Sequence, residues 1–299
     1  MTEPTLAGWS WVTPLGRGTE ALSRILAGET ALVPPPEALA PSRVPLLAQI
    51  KDQPKRSPHA RVLHRVSLLG LEAAITLAEG WPGDRARLGV FTALGGLRAL
   101  WEDLLVGLSH QAEDGSSPWA RGLGKVHPYW MLRHLSNNTH AALAMSLQAQ
   151  GDGATYAGAS AGAQAVSGAA RALRAGGLDA ALVLGVDTLI QPEILLEGAL
   201  HYRFDEIGPG EAAVALLLTA DGQGPRVRAF AGVGPEPPGD AAPVPVHVER
   251  ALGQLGAVAS LAQIVVAASL GPGDWSAESQ GPPELYSRIW VHTPASERT

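Results

Sequence analysis

The stretch GDGATYAGASAGAQAVSGAARALRAGGLDAALVLGVD, Gly151 to Asp187, carries the strongest structural signal in the chain. Ala154 to Ala159 is short and bounded by glycine, which predicts a strand. Ala161 to Ala175 places almost nothing but small residues at helical spacing before Gly176-Gly177 stops it. Ala180 to Val186 (AALVLGV) is uniformly apolar between two aspartates, the pattern of a strand covered on both faces. A strand, a small-residue helix and a buried strand in succession imply an α/β protein whose helices lie close against a sheet. One hydroxyl, Ser160, stands at the strand-to-helix turn, a place where α/β enzymes put nucleophiles.

Working outward, Leu6 to Val12 reads as a strand ending in the turn Thr13-Pro14-Leu15-Gly16, and Thr19 to Ala27 reads as a helix. Residues 33 to 60 are rich in proline and charge and read as irregular. Val62 to Ala78 is a long amphipathic helix, Arg87 to Thr92 a buried strand, and helices follow near Leu97 to Leu108 and Leu135 to Gln150. Glu211 to Thr219 (EAAVALLLT) is a second fully apolar strand. Beyond it, Arg226 to Val233 reads as a strand and 234–246 (GPEPPGDAAPVPV) as an extended Pro-Gly linker. Val248 to Ser269 reads as one helix, and Arg288 to His292 as a closing strand. These elements predict a mixed sheet with helices on both sides, residues 1–220 forming one unit and 221–299 packing on the same core.

Composition removes several function classes. The 299 residues hold 22 basic and 28 acidic side chains, for a net charge of −6, with no basic stripe. Nucleic acid and anionic membrane surfaces are therefore not expected partners. There is no cysteine, so disulfides, thiolate metal sites and a cysteine nucleophile are excluded. No His/Asp/Glu set has metal-ligand spacing, and Gly95-Gly96 is not accompanied by G-x-G-x-x-G or G-K-[ST]. No metal and no cofactor are expected. The start carries no signal-peptide pattern and no apolar run is long enough to span a bilayer, so a cytoplasmic location is expected.

Taken together, the segments resemble the thiolase-fold β-ketoacyl synthases. LAGWSWVTPLGRGTEALSRILAGETAL is similar to that family's opening strand, T-P-L-G turn and first helix. RLGVFTALGGL resembles its second strand and glycine turn, LSNNTHAALA the helix before the active-site strand, and GEAAVALLLT its G-E-G-A-A-x-x-x-L strand. The resemblance covers roughly residues 6 to 220 in order. It implies a layered αβαβα fold with a complete N-terminal half and an abbreviated C-terminal half.

In that family a cysteine occupies the nucleophile turn at the start of a buried helix. The unpaired N–H groups and partial positive charge there lower a thiol's pKa and stabilise a developing oxyanion. Two histidines from the C-terminal half assist decarboxylation and polarise the thioester. The family's cysteine falls on Ser160, and a serine without an adjacent base is a poor nucleophile. The H-G-T-G-T segment that carries the first histidine has no counterpart. The G-H-x-x-G-A-A-G turn corresponds to ALGQLGAVAS, where the second histidine falls on Gly253 or, one residue along, Gln254. The G-F-G-G-T-N turn also has no counterpart near 271–287.

His127, His134, His140 and His201 flank the nucleophile strand and the following core strand, and read as structural or solvated residues rather than a replacement base. Glu211 reads as an ion-pair or turn anchor. Trp9, Trp11, Trp101, Trp119 and Trp130 read as packing or interface residues rather than an acyl tunnel. What the resemblance implies is a catalytically degenerate, chain-length-factor-like subunit of fatty-acid, polyketide or polyene assembly. It would pair with an active ketosynthase or with itself, and an acyl-carrier protein would dock on the complex. Two alternatives stand beside it: a Ser160-dependent acyltransferase or starter-unit selector, and a non-catalytic scaffold.

Overall fold

The computed structural model describes residues 3–37, 44–95, 135–191, 194–195, 204, 206–232, 240–281 and 285–295. The first half of the chain contributes β1 (Thr5–Thr13), β2 (Gly16–Arg17), α1 (Gly18–Leu26), α2 (Arg65–Glu79), β3 (Leu88–Leu94), α3 (Asn138–Leu147), β4 (Ala154–Ala157), α4 (Ala161–Arg174), β5 (Ala180–Thr188) and β6 (Glu211–Thr219). The second half contributes β7 (Arg226–Ala231), β8 (Ala242–Pro243), α5 (Val248–Leu252), α6 (Ala259–Ser269), β9 (Gly273–Gly281) and β10 (Leu285–Thr293). One mixed sheet runs β4-β3-β5-β6-β1-β7-β10-β9-β8, with β2 paired to β1.

The two halves repeat one pattern. In the first, β3 and β5 are parallel while β6 runs antiparallel to both β5 and β1. In the second, β8 and β9 are parallel while β10 runs antiparallel to both β9 and β7. β1 thus corresponds to β7, β3 to β8, α4 to α6, β5 to β9 and β6 to β10. The halves join where β1 meets β7 in a single pair, Thr5 with Arg226, flanked by Leu6 N–H to Pro225 O at 2.7 Å and Val227 N–H to Pro4 O at 3.0 Å.

At that joint the sheet folds over its central helices. α4 packs against β3, β4 and β5 on one side and β7 on the other, and α6 packs on α4, β9 and β10. Its small residues, Ala161, Ala163, Ala165 and Ala169 among them, let α4 be buried between two sheets at close range. α2 and α3 cover the outer face of the first half. The described residues thus form four layers, α/β/α/β, of the αβαβα arrangement that the resemblance implies. The abbreviation of the second half is visible in its outer face, where no helix lies among the described residues.

Strand sequences follow this asymmetry. β3 and β5, covered on both faces, are buried at every position. β7 (RVRAFA) alternates instead: Val227 and Ala229 point into the core, Arg226 and Arg228 into solvent. β10 does the same, with Ile289 and Val291 buried and Trp290 and His292 on the outer side. Alternation is what a sheet with one wet face requires. On that face Arg228 pairs with Glu3 and stacks over Trp290 (5.3 Å), Trp290 stacks on His292 (5.9 Å), and His292 Nδ1 lies 3.0 Å from Asp274 Oδ1.

Two expectations change, and a strand that the sequence did not suggest appears. The single helix over 248–269 is broken: α5 stops at Leu252, Gly256–Val258 forms a 3-10 turn, and α6 begins at Ala259. Gly253 (φ +77°) and Gly256 (φ +52°) adopt left-handed backbone, and the chain between them pairs instead with the 208–210 segment. Gln254 N–H donates to Gly208 O at 2.8 Å and Gly210 N–H to Gln254 O at 2.9 Å. Second, β9 (GDWSAESQG) is a strand although glycine, aspartate and serine disfavour one; nine consecutive pairs with β10 impose it. Third, the described part of the 234–246 segment is not a free linker, since Ala242-Pro243 is β8 and pairs with β9. The helix expected from Leu97 to Leu108 lies outside the described residues.

Candidate active site

β4 ends at Ala157, and Gly158 (φ +106°), Ala159 and Ser160 turn the chain into α4. Ser160 is 5% exposed and occupies the N-cap position, but its side chain does not cap the helix. Its Oγ accepts a hydrogen bond from Gln164 Nε2 at 3.0 Å, one turn along. Ala161 N–H is used by Gly158 O at 3.0 Å. The sequence therefore puts the hydroxyl at the positive end of a buried helix and then occupies one of its lone pairs with a side-chain amide.

The turn that breaks the 248–269 segment lies directly on this helix start. A Cβ on Gly162 would stand 2.5 Å from Ala257 O and 2.6 Å from Ser260 Oγ, so a side chain there would force the two segments apart. The structure thus brings together the two turns that the resemblance reads as a nucleophile turn and a glycine-alanine turn. Neither candidate position for the second histidine supplies a base. Gly253 has no side chain, and Gln254 Nε2 donates to Ile207 O at 2.8 Å.

Beside this junction is a buried carboxylate that sequence reasoning did not single out. Asp187, at the end of β5, accepts from Thr188 N–H through Oδ1 and from Ala257 N–H through Oδ2, both at 2.9 Å. No cation pairs with it among the described residues. Burial pushes its carboxyl up to about 7, against the pull of the two N–H bonds. Gly95 and Gly256 close over it, where a Cβ would fall 1.7 Å and 2.4 Å from Oδ2. Asp187 therefore ties the β5 end to the 256–258 turn. The signal in the sequence was an acidic residue closing a wholly apolar strand. Nearby, Glu249 does a similar job: it accepts from Leu255 N–H at 2.9 Å, and burial pushes it too up to about 7.

The described histidines lie elsewhere. His64 caps α2 by accepting from Val66 N–H at 3.2 Å, and burial, then neighbouring Arg65, lowers it to about 4. His140, on α3, is lowered by burial despite a hydrogen bond with the Ala154 backbone. His247 opens α5 and is lowered by burial and by Arg250. None of the described histidines is hydrogen-bonded to Ser160. His127, His134 and His201 lie outside the described residues, as do Trp101, Trp119 and Trp130.

Trp11 is fully buried with its indole N–H on Gly18 O (2.9 Å), and Trp9 packs edge-on to it at 5.5 Å, so these two are core. Glu211 is the anchor its sequence context implied. It pairs with Arg65 and accepts from Ile50 N–H at 2.8 Å, while Arg65 also donates to the Ile50 and Asp52 carbonyls at 3.0 Å. Together they hold the irregular excursion against β6 and α2. Among the described residues no three His, Asp or Glu side chains could hold a metal ion, and no helix is long and apolar enough to cross a membrane.

The family described as "Beta-ketoacyl synthase, N-terminal domain" matches residues 45–200, just over half of the chain. No curated protein sequence matches it. Among solved structures, the ishigamide ketosynthase/chain length factor superimposes with a TM-score of 0.72 at 17% identity, over 98% of this chain and 100% of that one. The ketosynthase ApeO in complex with its chain length factor ApeC from Xenorhabdus doucetiae gives 0.71 at 14% identity, over 98% of each chain. AntDE:AntF, a type II acyl-carrier protein in complex with its ketosynthase bound to the hexaketide, gives 0.70 at 13%, over 98% of this chain and 100% of that one. At these identities the likeness establishes the fold, and with the sequence match over the first half it leads to one conclusion: the chain belongs to the β-ketoacyl synthase family.

Proposed function

We propose that this protein is a non-condensing, chain-length-factor-like subunit that partners an active ketosynthase in fatty-acid, polyketide or polyene assembly, with an acyl-carrier protein docking on the pair. The observation that carries the reading is the state of the nucleophile turn. On this reading Ser160 takes the place of the condensing cysteine; its oxygen is bound by Gln164, and Gly253 and Gln254, the two positions read for the second histidine, offer no imidazole. Condensation needs a thiolate and two imidazoles acting together, and removing members of such a set is far from additive. What the chain keeps is the structural half of the design. Among the described residues β4 is an outer edge of the sheet and half-exposed, so its free side can meet a partner strand. Solved relatives that pair a ketosynthase with a chain length factor, or with an acyl-carrier protein, support this partnership.

The test is co-expression with a full-length ketosynthase and its carrier protein. The reading expects a stable complex whose product length changes when this chain is withheld. It also expects no mass adduct on this chain after exposure to acyl thioesters. An adduct lost in Ser160→Ala would replace this reading with a Ser160-dependent acyltransferase, and a monomer with neither partner nor adduct would refute both.

A further inference from the structure

On the outer face of β7, β10 and β9 the charges are sorted by strand. Cross-strand pairing sets Arg226 beside His292 and Asp274, and Arg228 beside Trp290 and Ser276. A further row joins Phe230, Arg288 and Glu278. The charged side chains of β7 are both arginine, and those of β9 are both carboxylates. The two strands stand about 10 Å apart, twice the usual strand spacing. Between them lie Trp290 and His292, stacked at 5.9 Å and partly exposed.

Most of these charges have a partner within the chain. Arg228 pairs with Glu3, Glu278 with Arg288 (2.8 Å), and Asp274 Oδ1 lies 3.0 Å from His292 Nδ1. They remain reachable from outside, since Arg228, Glu278 and His292 keep 48%, 57% and 39% of their side-chain surface. One row is less well matched. Arg226 is exposed and has no ion-pair partner among the described residues, and Asp274 is met by an imidazole rather than a guanidinium.

A face with cations along one side and carboxylates along the other is complementary to itself. A half-turn about an axis lying in the face and parallel to the strands turns a copy over and exchanges the two sides. Arg226 of each copy then comes over Asp274 of the other, and the Trp290 rings meet near the axis. An axis across the strands would instead lay arginines on arginines. Arg288 also approaches its own copy, but each carries Glu278 as counter-ion. Such a contact uses the same residues on both sides and closes at two copies.

We infer that this face binds a second copy of the same chain about a two-fold axis along β10, with Arg226 and Asp274 as reciprocal ion pairs. The face lies toward the opposite end of the sheet from β4, so the contact leaves that edge free and does not rest on the ketosynthase partnership. Three strands and three alternate residues span only about 10 by 14 Å between centres. That is well short of the roughly 800 Å² per partner of a standard interface, so a dissociation constant of about 10–100 µM is expected.

Sedimentation velocity of the full chain alone, loaded below and above that concentration, tests the inference. A monomer–dimer equilibrium is expected, weakened about three- to tenfold when salt rises from about 0.1 to about 1 M. Arg226→Glu sets carboxylate against carboxylate at both ends of the contact and should weaken it at least about tenfold, as should Asp274→Arg. Combining the two restores opposite charges and should return the dimer to within about threefold of wild type. Both positions lie on the wet side of the sheet, and circular dichroism checks that each variant is folded. A chain that stays monomeric overturns the inference. So does a dimer that neither single variant weakens, as pairing through β4 would give, or a double variant no stronger than the single ones.

Discussion

Asp187→Asn should flatten one component of the protein's pH dependence, and the size of that component can be worked out. Asp187 is 1% exposed and its carboxyl is pushed from an ordinary 3.8 up to about 7. A group whose folded pKa is raised stabilises the fold fully at pH values below its unfolded pKa, and that stability is lost as pH rises through the folded pKa. Between the two values the unfolded chain has released the proton and the folded chain still holds it, so stability falls by about 1.4 kcal/mol per pH unit. Integrated from pH 5 to pH 8, the Asp187 contribution falls by about 2–3 kcal/mol. Urea unfolding of both proteins at several pH values gives the quantity needed, wild type minus Asp187→Asn. Subtraction removes the titrations of Glu249, His64, His140 and His247, which both proteins share. Asparagine also turns an amide nitrogen toward one of the two N–H donors, a penalty that does not vary with pH. The difference should therefore slope toward the variant as pH rises. A flat difference, or one sloping the other way, would show that Asp187 is not held protonated at the junction.

Arg65→Met strands the buried Glu211 carboxylate and should cost about 3 kcal/mol in urea unfolding, with Glu211→Gln in the same chain recovering much of it. Gly162→Ala drives a methyl into Ala257 O and Ser260 Oγ and should lower stability by about 1–3 kcal/mol, visible as a lower thermal midpoint. If the variant is as stable as wild type, the contact between α4 and the 256–261 segment is looser than described. Ser160→Cys creates the only thiol in the chain. Mass spectrometry should find it acylated by acyl thioesters, whereas product analysis should find no condensation with a malonyl carrier, because no imidazole among the described residues is bonded to this position. Condensation by this single variant would place a working base at the turn.

Asp187 also fixes the 256–258 turn. The turn is held to the helix start through Gly162 and to β5 through Asp187. Among the described residues, the outer face of the second half carries a ladder of ion pairs and stacked rings on β7, β9 and β10 rather than helices.

Patterning by itself determined the first half of this protein. AALVLGV and EAAVALLLT are unbroken apolar runs, which fit strands covered on both faces, and the small-residue run from Ala161 fits a helix between sheets. The serine at position 160, and the lack of any cysteine, were equally plain. Tertiary structure alone decided the second half. β9 is a strand because β10 and β8 flank it, since its own residues argue for a loop. The segment after Val248 breaks because its backbone gains more from pairing with 208–210 than from one more helical turn, and the glycines at 253 and 256 permit the change. The fate of Asp187 was also undecided by sequence. An aspartate at a strand end is ordinarily solvated, and it becomes a buried latch with a raised pKa only when a turn 70 residues along the chain closes over it.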